Sequence, residues 1–141
     1  MKSLKSKLNE LGLLVDRKKY IFTVIKPGFL NIGQKIIERF EEDGWKVSKM
    51  RTKQLLLSEA RLLYSVHKKE DFYKDLCIYM SSGPSTAIIF TKDDLMDNDI
   101  FKEVSEIKDE IRKEYGESDM RNVLHSSDSL EHMEVEQVIY F

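Results

Sequence analysis

At 141 residues the chain is long enough to bury one core without disulfides or a structural metal. With 41% hydrophobic and 34% charged residues it reads as a globular protein rather than a disordered one, and a net charge of −2 gives no general drive toward nucleic acid or anionic membranes. The single cysteine, Cys77, cannot form an internal disulfide, no Cys/His spacing suits zinc and no apolar run is long enough for a membrane span, which points to a reducing, cytoplasmic setting.

Residues Met1 to Lys19 form an N-terminal extension in which Leu4, Leu8, Leu11 and Val15 recur at helical spacing among basic residues. An amphipathic helix and a solvated, frayed extension fit equally; the narrow apolar face without an aromatic anchor argues against lipid. Tyr20 to Ile25 is β-branched and aromatic, a buried strand, stopped by Lys26-Pro27-Gly28. Ile32, Ile36, Ile37 and Phe40 then step at helical spacing up to Asp43-Gly44. Trp45 to Leu57 alternates apolar and basic positions as a half-exposed strand does. Ser58 is placed to cap a short helix carrying Ala60, Leu63 and Tyr64, and a second runs from Phe72 to Met80. Ser82-Gly83-Pro84 breaks the chain before a third strand, Ser85 to Thr91.

A polar loop, Lys92 to Asp99, leads into one helical stripe, Ile100, Val104, Ile107, Ile111 and Tyr115, ended by Gly116. Arg121 to Ser126 supplies a final short strand. Asp128 with Glu131 has the spacing of a capping box, so a helix from Leu130 to Glu136 is expected just after His125. Val138 to Phe141 reads as pinned apolar surface. Strands separated by helices predict an α/β or α+β domain with a small sheet covered by helices.

Lys26-Pro27, Tyr64, Phe72, Leu76, Ser82-Gly83-Pro84, Ile111-Arg112 and the run Arg121-Asn122-Val123-Leu124-His125-Ser126-Ser127-Asp128-Ser129 occur in one order. Over residues 20–141 this resembles the nucleoside diphosphate kinase family, and the specific part is the Arg-Asn through Ser-Asp-Ser stretch around the histidine. The resemblance implies a ferredoxin-like βαββαβ fold with a four-stranded antiparallel sheet. It also implies transfer of the terminal phosphoryl group of a nucleoside triphosphate such as ATP to a nucleoside diphosphate. His125 matches the residue that carries the phosphoryl group as a phosphohistidine, with Ser127 and Glu136 in its surroundings. Lys26 matches a lysine beside the transferred phosphate, and Tyr64 a tyrosine that positions it. Phe72 and Leu76 match the clamp on the nucleobase, Arg112 a phosphate-binding arginine and Asn122 a ribose contact. Mg²⁺ bound through the nucleotide phosphates and a homo-oligomer, at least a dimer with tetramer or hexamer as further states, are likewise implied.

Several of these residues also have a plainer reading. On spacing alone Tyr64, Phe72 and Leu76 are helix core, Ser127 is a cap and Glu136 a solvated charge. Arg121 reads as structural, His67 as structural and His132 as exposed. The chain also departs from the family pattern. Gly28 stands where aspartate follows Lys-Pro, Ser126 stands where glycine follows the histidine, and residues 93–111 contain neither arginine nor proline. Lys102 and Lys108 are the candidates for the missing arginine. The alternative to an active kinase is therefore a nucleotide-binding scaffold with weak or lost transfer, and a third reading is an interaction module acting through the first 19 residues.

Overall fold

The computed structural model describes residues 18–93 and 99–141, so the N-terminal extension, apart from Lys18 and Lys19, and most of the polar loop lie outside the described residues. Four strands, β1 (Lys18–Ile25), β2 (Lys46–Lys53), β3 (Ser85–Asp93) and β4 (Leu124–Ser126), form an antiparallel sheet of order β2-β3-β1-β4. Among the described residues five α-helices join or follow them: α1 (Gly33–Glu42), α2 (Leu57–Leu63), α3 (Tyr73–Met80), α4 (Ile100–Tyr115) and α5 (Leu130–Tyr140). This is the ferredoxin-like βαββαβ order, with α2 and α3 inserted between β2 and β3.

The two central strands explain the unbroken apolar runs of the sequence. Along β1, Ile21 and Ile25 face one side with Ile88 and Phe90 of β3, packing with Ile36 and Phe40 of α1 and Val104, Ile107 and Ile111 of α4. Phe22 and Val24 face the other side with Ala87 and Ile89, under Leu63 of α2, Leu76 and Met80 of α3 and Ile139 of α5. A strand covered on both faces has no solvent side to alternate with, so period-two polarity disappears. β2 lies at an edge, and all its residues but Lys53 are exposed, more open than the half-exposed strand predicted.

Several boundaries move. β2 stops at Lys53; Trp45 before it is fully buried in the first core, and Leu55 beyond it in the second. The α2 cap is not Ser58: the Leu56 amide donates to Glu59 Oε1 at 2.9 Å, closing the first turn from within. At α5 the cap is Ser129 rather than Asp128, its Oγ accepting from the His132 amide at 3.2 Å. The same helix continues through Val138 to Tyr140, where a separate apolar tail was expected. The Ile100 to Tyr115 stripe is one continuous helix, capped by Asp99, which accepts from the Lys102 amide at 3.2 Å.

Candidate active site

Strand pairing assembles the site. His125 sits on β4 opposite Val24, and Leu124 opposite Ile25, so the residue that leaves β1, Lys26, arrives beside the chain just ahead of His125. The Lys26 amide donates to the Val123 carbonyl at 2.8 Å, extending the pairing by one step. The Lys26 ammonium then reaches Asn122 Oδ1 at 2.7 Å and the Met120 carbonyl at 3.2 Å. Val123 itself is fully buried and holds φ at +81°, a left-handed conformation that costs a β-branched residue about 1–3 kcal/mol. Such strain persists only where surrounding contacts over-determine it, and here it lies between Asn122 and the His125 strand.

Around the histidine, α5 supplies a buried carboxylate. His125 Nε2 lies 2.7 Å from Glu136 Oε1, and Ser127 Oγ donates to Glu136 Oε2 at 2.5 Å. Burial pushes the Glu136 carboxyl upward, but its hydrogen bonds with His125 and Ser127 outweigh that and hold it below its ordinary value. The carboxylate is therefore the acceptor, which puts the imidazole proton on Nε2 and leaves Nδ1 with its lone pair. Burial also lowers the His125 pKa, against the pull of Glu136, with the charges of Lys26 and Lys108 adding to the effect. A neutral imidazole with one basic nitrogen free is the nucleophilic form. Tyr64, at the C-terminal end of α2, meets the His125 ring edge-on at 5.1 Å, and its hydroxyl is buried without a hydrogen-bond partner among the described residues.

These groups line one cavity of about 480 Å³, a size suited to a small organic ligand. Of the nine site residues expected from sequence, Lys26, Tyr64, Phe72, Leu76, Arg112, Asn122, His125 and Glu136 all border it; Ser127 stands behind, reaching it through Glu136. Phe72, at the head of α3, is 45% exposed at the cavity mouth, so it is not the core aromatic that helical spacing suggests. Leu76, one turn on, is buried beneath it. Arg112 is aimed by two backbone acceptors, Asn122 O at 3.2 Å and Leu124 O at 2.8 Å.

Sequence reasoning missed other residues of this wall. His67 borders the cavity and its ring lies 5.4 Å from that of Phe72, a contact its place three residues after Tyr64 hinted at. His132, expected to be exposed, is partly buried and also borders the cavity, being one turn before Glu136 on α5. Of the two candidate lysines, Lys108 borders the cavity, one turn before Arg112 on α4, while Lys102 is exposed and does not.

Arg121 has the structural role expected of it. Its guanidinium lies over the rings of Phe29 (5.6 Å) and Tyr79 (5.2 Å) and bonds Glu117 at 2.6 Å. This packing explains Gly28, which holds φ at +92° with space for a Cβ only 2.7 Å from the Arg121 guanidinium. Gly28→Ala is expected to lower stability by about 1–3 kcal/mol through backbone strain and displacement of Arg121. Thermal unfolding would test it; a variant as stable as the parent would show that the turn tolerates a side chain.

Known proteins resemble this chain in sequence and fold. A model of the nucleoside diphosphate kinase family matches residues 20–141. A nucleoside diphosphate kinase of Wolinella succinogenes is 35% identical over 126 residues, covering 84% of this chain and 92% of that protein. One from Myxococcus xanthus is 36% identical over 126 residues, covering 84% and 87%. The crystal structure of Aquifex aeolicus nucleoside diphosphate kinase superposes with a TM-score of 0.76 at 27% identity, over 88% of this chain and 95% of that one. With the match spanning the sheet, the cavity and the histidine strand alike, the chain belongs to the nucleoside diphosphate kinase family.

Proposed function

We propose that this protein is an active nucleoside diphosphate kinase that moves the terminal phosphoryl group of a nucleoside triphosphate to a nucleoside diphosphate through a phosphohistidine at His125. The observation that carries the reading is the Ser127–Glu136–His125 chain, which leaves Nδ1 of a neutral imidazole as the free nucleophile at a cavity lined with cations. In the first half-reaction Nδ1 attacks the terminal phosphorus, the bond to the bridging oxygen breaks, and the diphosphate leaves with that oxygen's electron pair. In the second half-reaction the terminal oxygen of an incoming diphosphate attacks the phosphohistidine, and the Nδ1 lone pair is restored. Glu136 holds the Nε2 proton throughout, stabilising the positive charge that develops on the ring.

Lys26 and Arg112 are the groups we assign to the phosphates, and Tyr64 to holding Lys26 and the phosphate in place; the Lys26 ammonium lies 5.9 Å from the Tyr64 ring centre. Phe72, with Leu76 beneath it, offers the nucleobase a stacking face that does not discriminate between bases. Asn122, already bonded to Lys26, is the ribose contact. Mg²⁺ would be held through the nucleotide rather than by a protein side chain, and would supply neutralisation of phosphate charge. The exposed edge strand β2, carrying Val47 and Met50, supports assembly as a homo-oligomer, a dimer at the least. The described residues include no helix long and apolar enough to cross a membrane, and a cytoplasmic enzyme of nucleotide metabolism is the setting we assign.

Incubation with terminally labelled ATP tests the reading. One acid-labile, alkali-stable phosphoryl group per chain is expected, discharged by GDP; an unlabelled protein would leave only the nucleotide-binding scaffold. The pH dependence is part of the test. The folded His125 pKa lies below the ordinary imidazole value of 6.5, so the ring stays neutral as pH falls through that point. Labelling is expected to persist through pH 6.5 and fail only in more acid solution. Half the rate lost at 6.5 would show an unshifted ring.

A further inference from the structure

Three cations converge on the cavity wall, and two are already engaged. Lys26 is bonded to Asn122 and Met120, and Arg112 to two backbone carbonyls. The third, Lys108, is half-buried and makes no hydrogen bond or ion pair with the described residues. It stands four residues before Arg112 on α4, so the two charges are neighbours on one face of the helix, a mutually repulsive arrangement in the absence of an anion. The helix is anchored on its other side: Val104, Ile107 and Ile111 are buried against the sheet, which fixes the direction in which Lys108 leaves α4. The carboxylates whose charge reaches Lys108 are Asp109 on its own helix, Asp128 and Glu136, and Glu136 is committed to His125 and Ser127. Lys108 in turn disfavours protonation of both Lys26 and His125, so its charge is felt at the reacting nitrogen.

We propose that Lys108 is a direct contact of the nucleotide's phosphate chain, the ammonium from α4 completing with Lys26 and Arg112 a three-cation cradle for di- and triphosphates. The inference rests on the kinase reading for the identity of the nucleotide and deepens it by assigning a further binding residue. An ammonium is a compact point charge on a flexible stem, so it can follow a phosphate chain without the fixed fork of a guanidinium. The contact acts on the phosphates beyond the first. Affinity for a diphosphate should depend on Lys108, and affinity for a monophosphate should not.

Calorimetry on the full chain with ADP and AMP tests this. Lys108→Met keeps the apolar stem and removes the charge; it is expected to weaken ADP about tenfold and AMP by less than about twofold. Lys108→Arg should restore ADP affinity to within about threefold, which a purely structural role for the aliphatic stem would not predict. Lys102→Met, on the exposed side of the same helix, should bind both nucleotides as the parent does. In the unmodified protein, ATP but not adenosine should protect Lys108 from acetylation by an amine-reactive reagent. Equal loss of ADP and AMP in Lys108→Met, unchanged ADP affinity, or Lys108 acetylated alike with and without ATP would each overturn the proposal. Labelling at His125 is a separate readout. A protein that takes no label yet needs Lys108 to prefer ADP over AMP refutes the kinase reading and upholds this one.

Discussion

His125→Ala is expected to abolish the phosphoprotein and reduce exchange between ATP and a second diphosphate by at least about 10⁴-fold, because no other nucleophile occupies the place of Nδ1. Nucleotide binding should survive, since Lys26, Arg112 and Phe72 are held by contacts that do not involve the imidazole. The variant also leaves Glu136 buried with Ser127 as its one remaining hydrogen-bond partner among the described residues. A buried carboxylate that loses a hydrogen bond costs about 1–3 kcal/mol, so the melting temperature should fall and recover partly in acid, where the carboxyl is protonated. The double variant His125→Ala, Glu136→Gln should regain stability at neutral pH without regaining activity. Label retained in His125→Ala, on any residue, would remove the proposed intermediate.

Lys26→Met should divide stability from activity. Lys26 is 4% exposed, and burial, with the charges of Arg112 and Lys108, lowers its pKa to about 7 from 10.5. Between those values the unfolded chain holds a proton that the folded chain has released, so stability rises with pH across the window. The cost of the buried charge is fully present below pH 7 and gone above pH 10.5. Methionine carries no such cost, and the variant is expected to be more stable near neutral pH by on the order of 1–3 kcal/mol, the advantage shrinking toward pH 10.5. Catalysis should move the other way. An arriving phosphate chain raises the Lys26 pKa and restores the ammonium where charge develops in the transition state, so its loss should lower kcat by about 10²–10³-fold. Chemical unfolding at several pH values and single-turnover labelling measure the two halves independently. A variant both less stable and fully active would contradict the role assigned to Lys26.

Both effects depend on a position reached through β-pairing, and that pairing divides what the sequence shows from what it does not. The chain's own pattern is enough for the existence and type of nearly every described element: apolar runs at β1 and β3, and the four-three-four-four stripe of α4. The family resemblance, rather than periodicity, singles out His125 and names seven further residues that line the cavity with it. Local chemistry is less legible where several residues can do the same work. Ser58 and Asp128 were as good caps by composition as the groups that serve, Glu59 and Ser129, because capping depends on backbone angles that composition does not encode.

What the sequence determined by itself, then, is the repertoire: a small sheet covered by helices, a histidine beside a serine-rich helix start, and a set of basic and aromatic residues. Only the tertiary structure decided which of them come together. Glu136 looks like any helix charge until α5 folds back and buries it against His125 Nε2. Phe72 looks like core until the turn at the head of α3 leaves it exposed at the cavity. Lys102 and Lys108 are equivalent in sequence, and the burial of Ile107 and Ile111 turns one into the cavity and leaves the other exposed. The reason is common to all three: a side chain's environment is set by contacts between residues far apart in the chain, and no local spacing contains them.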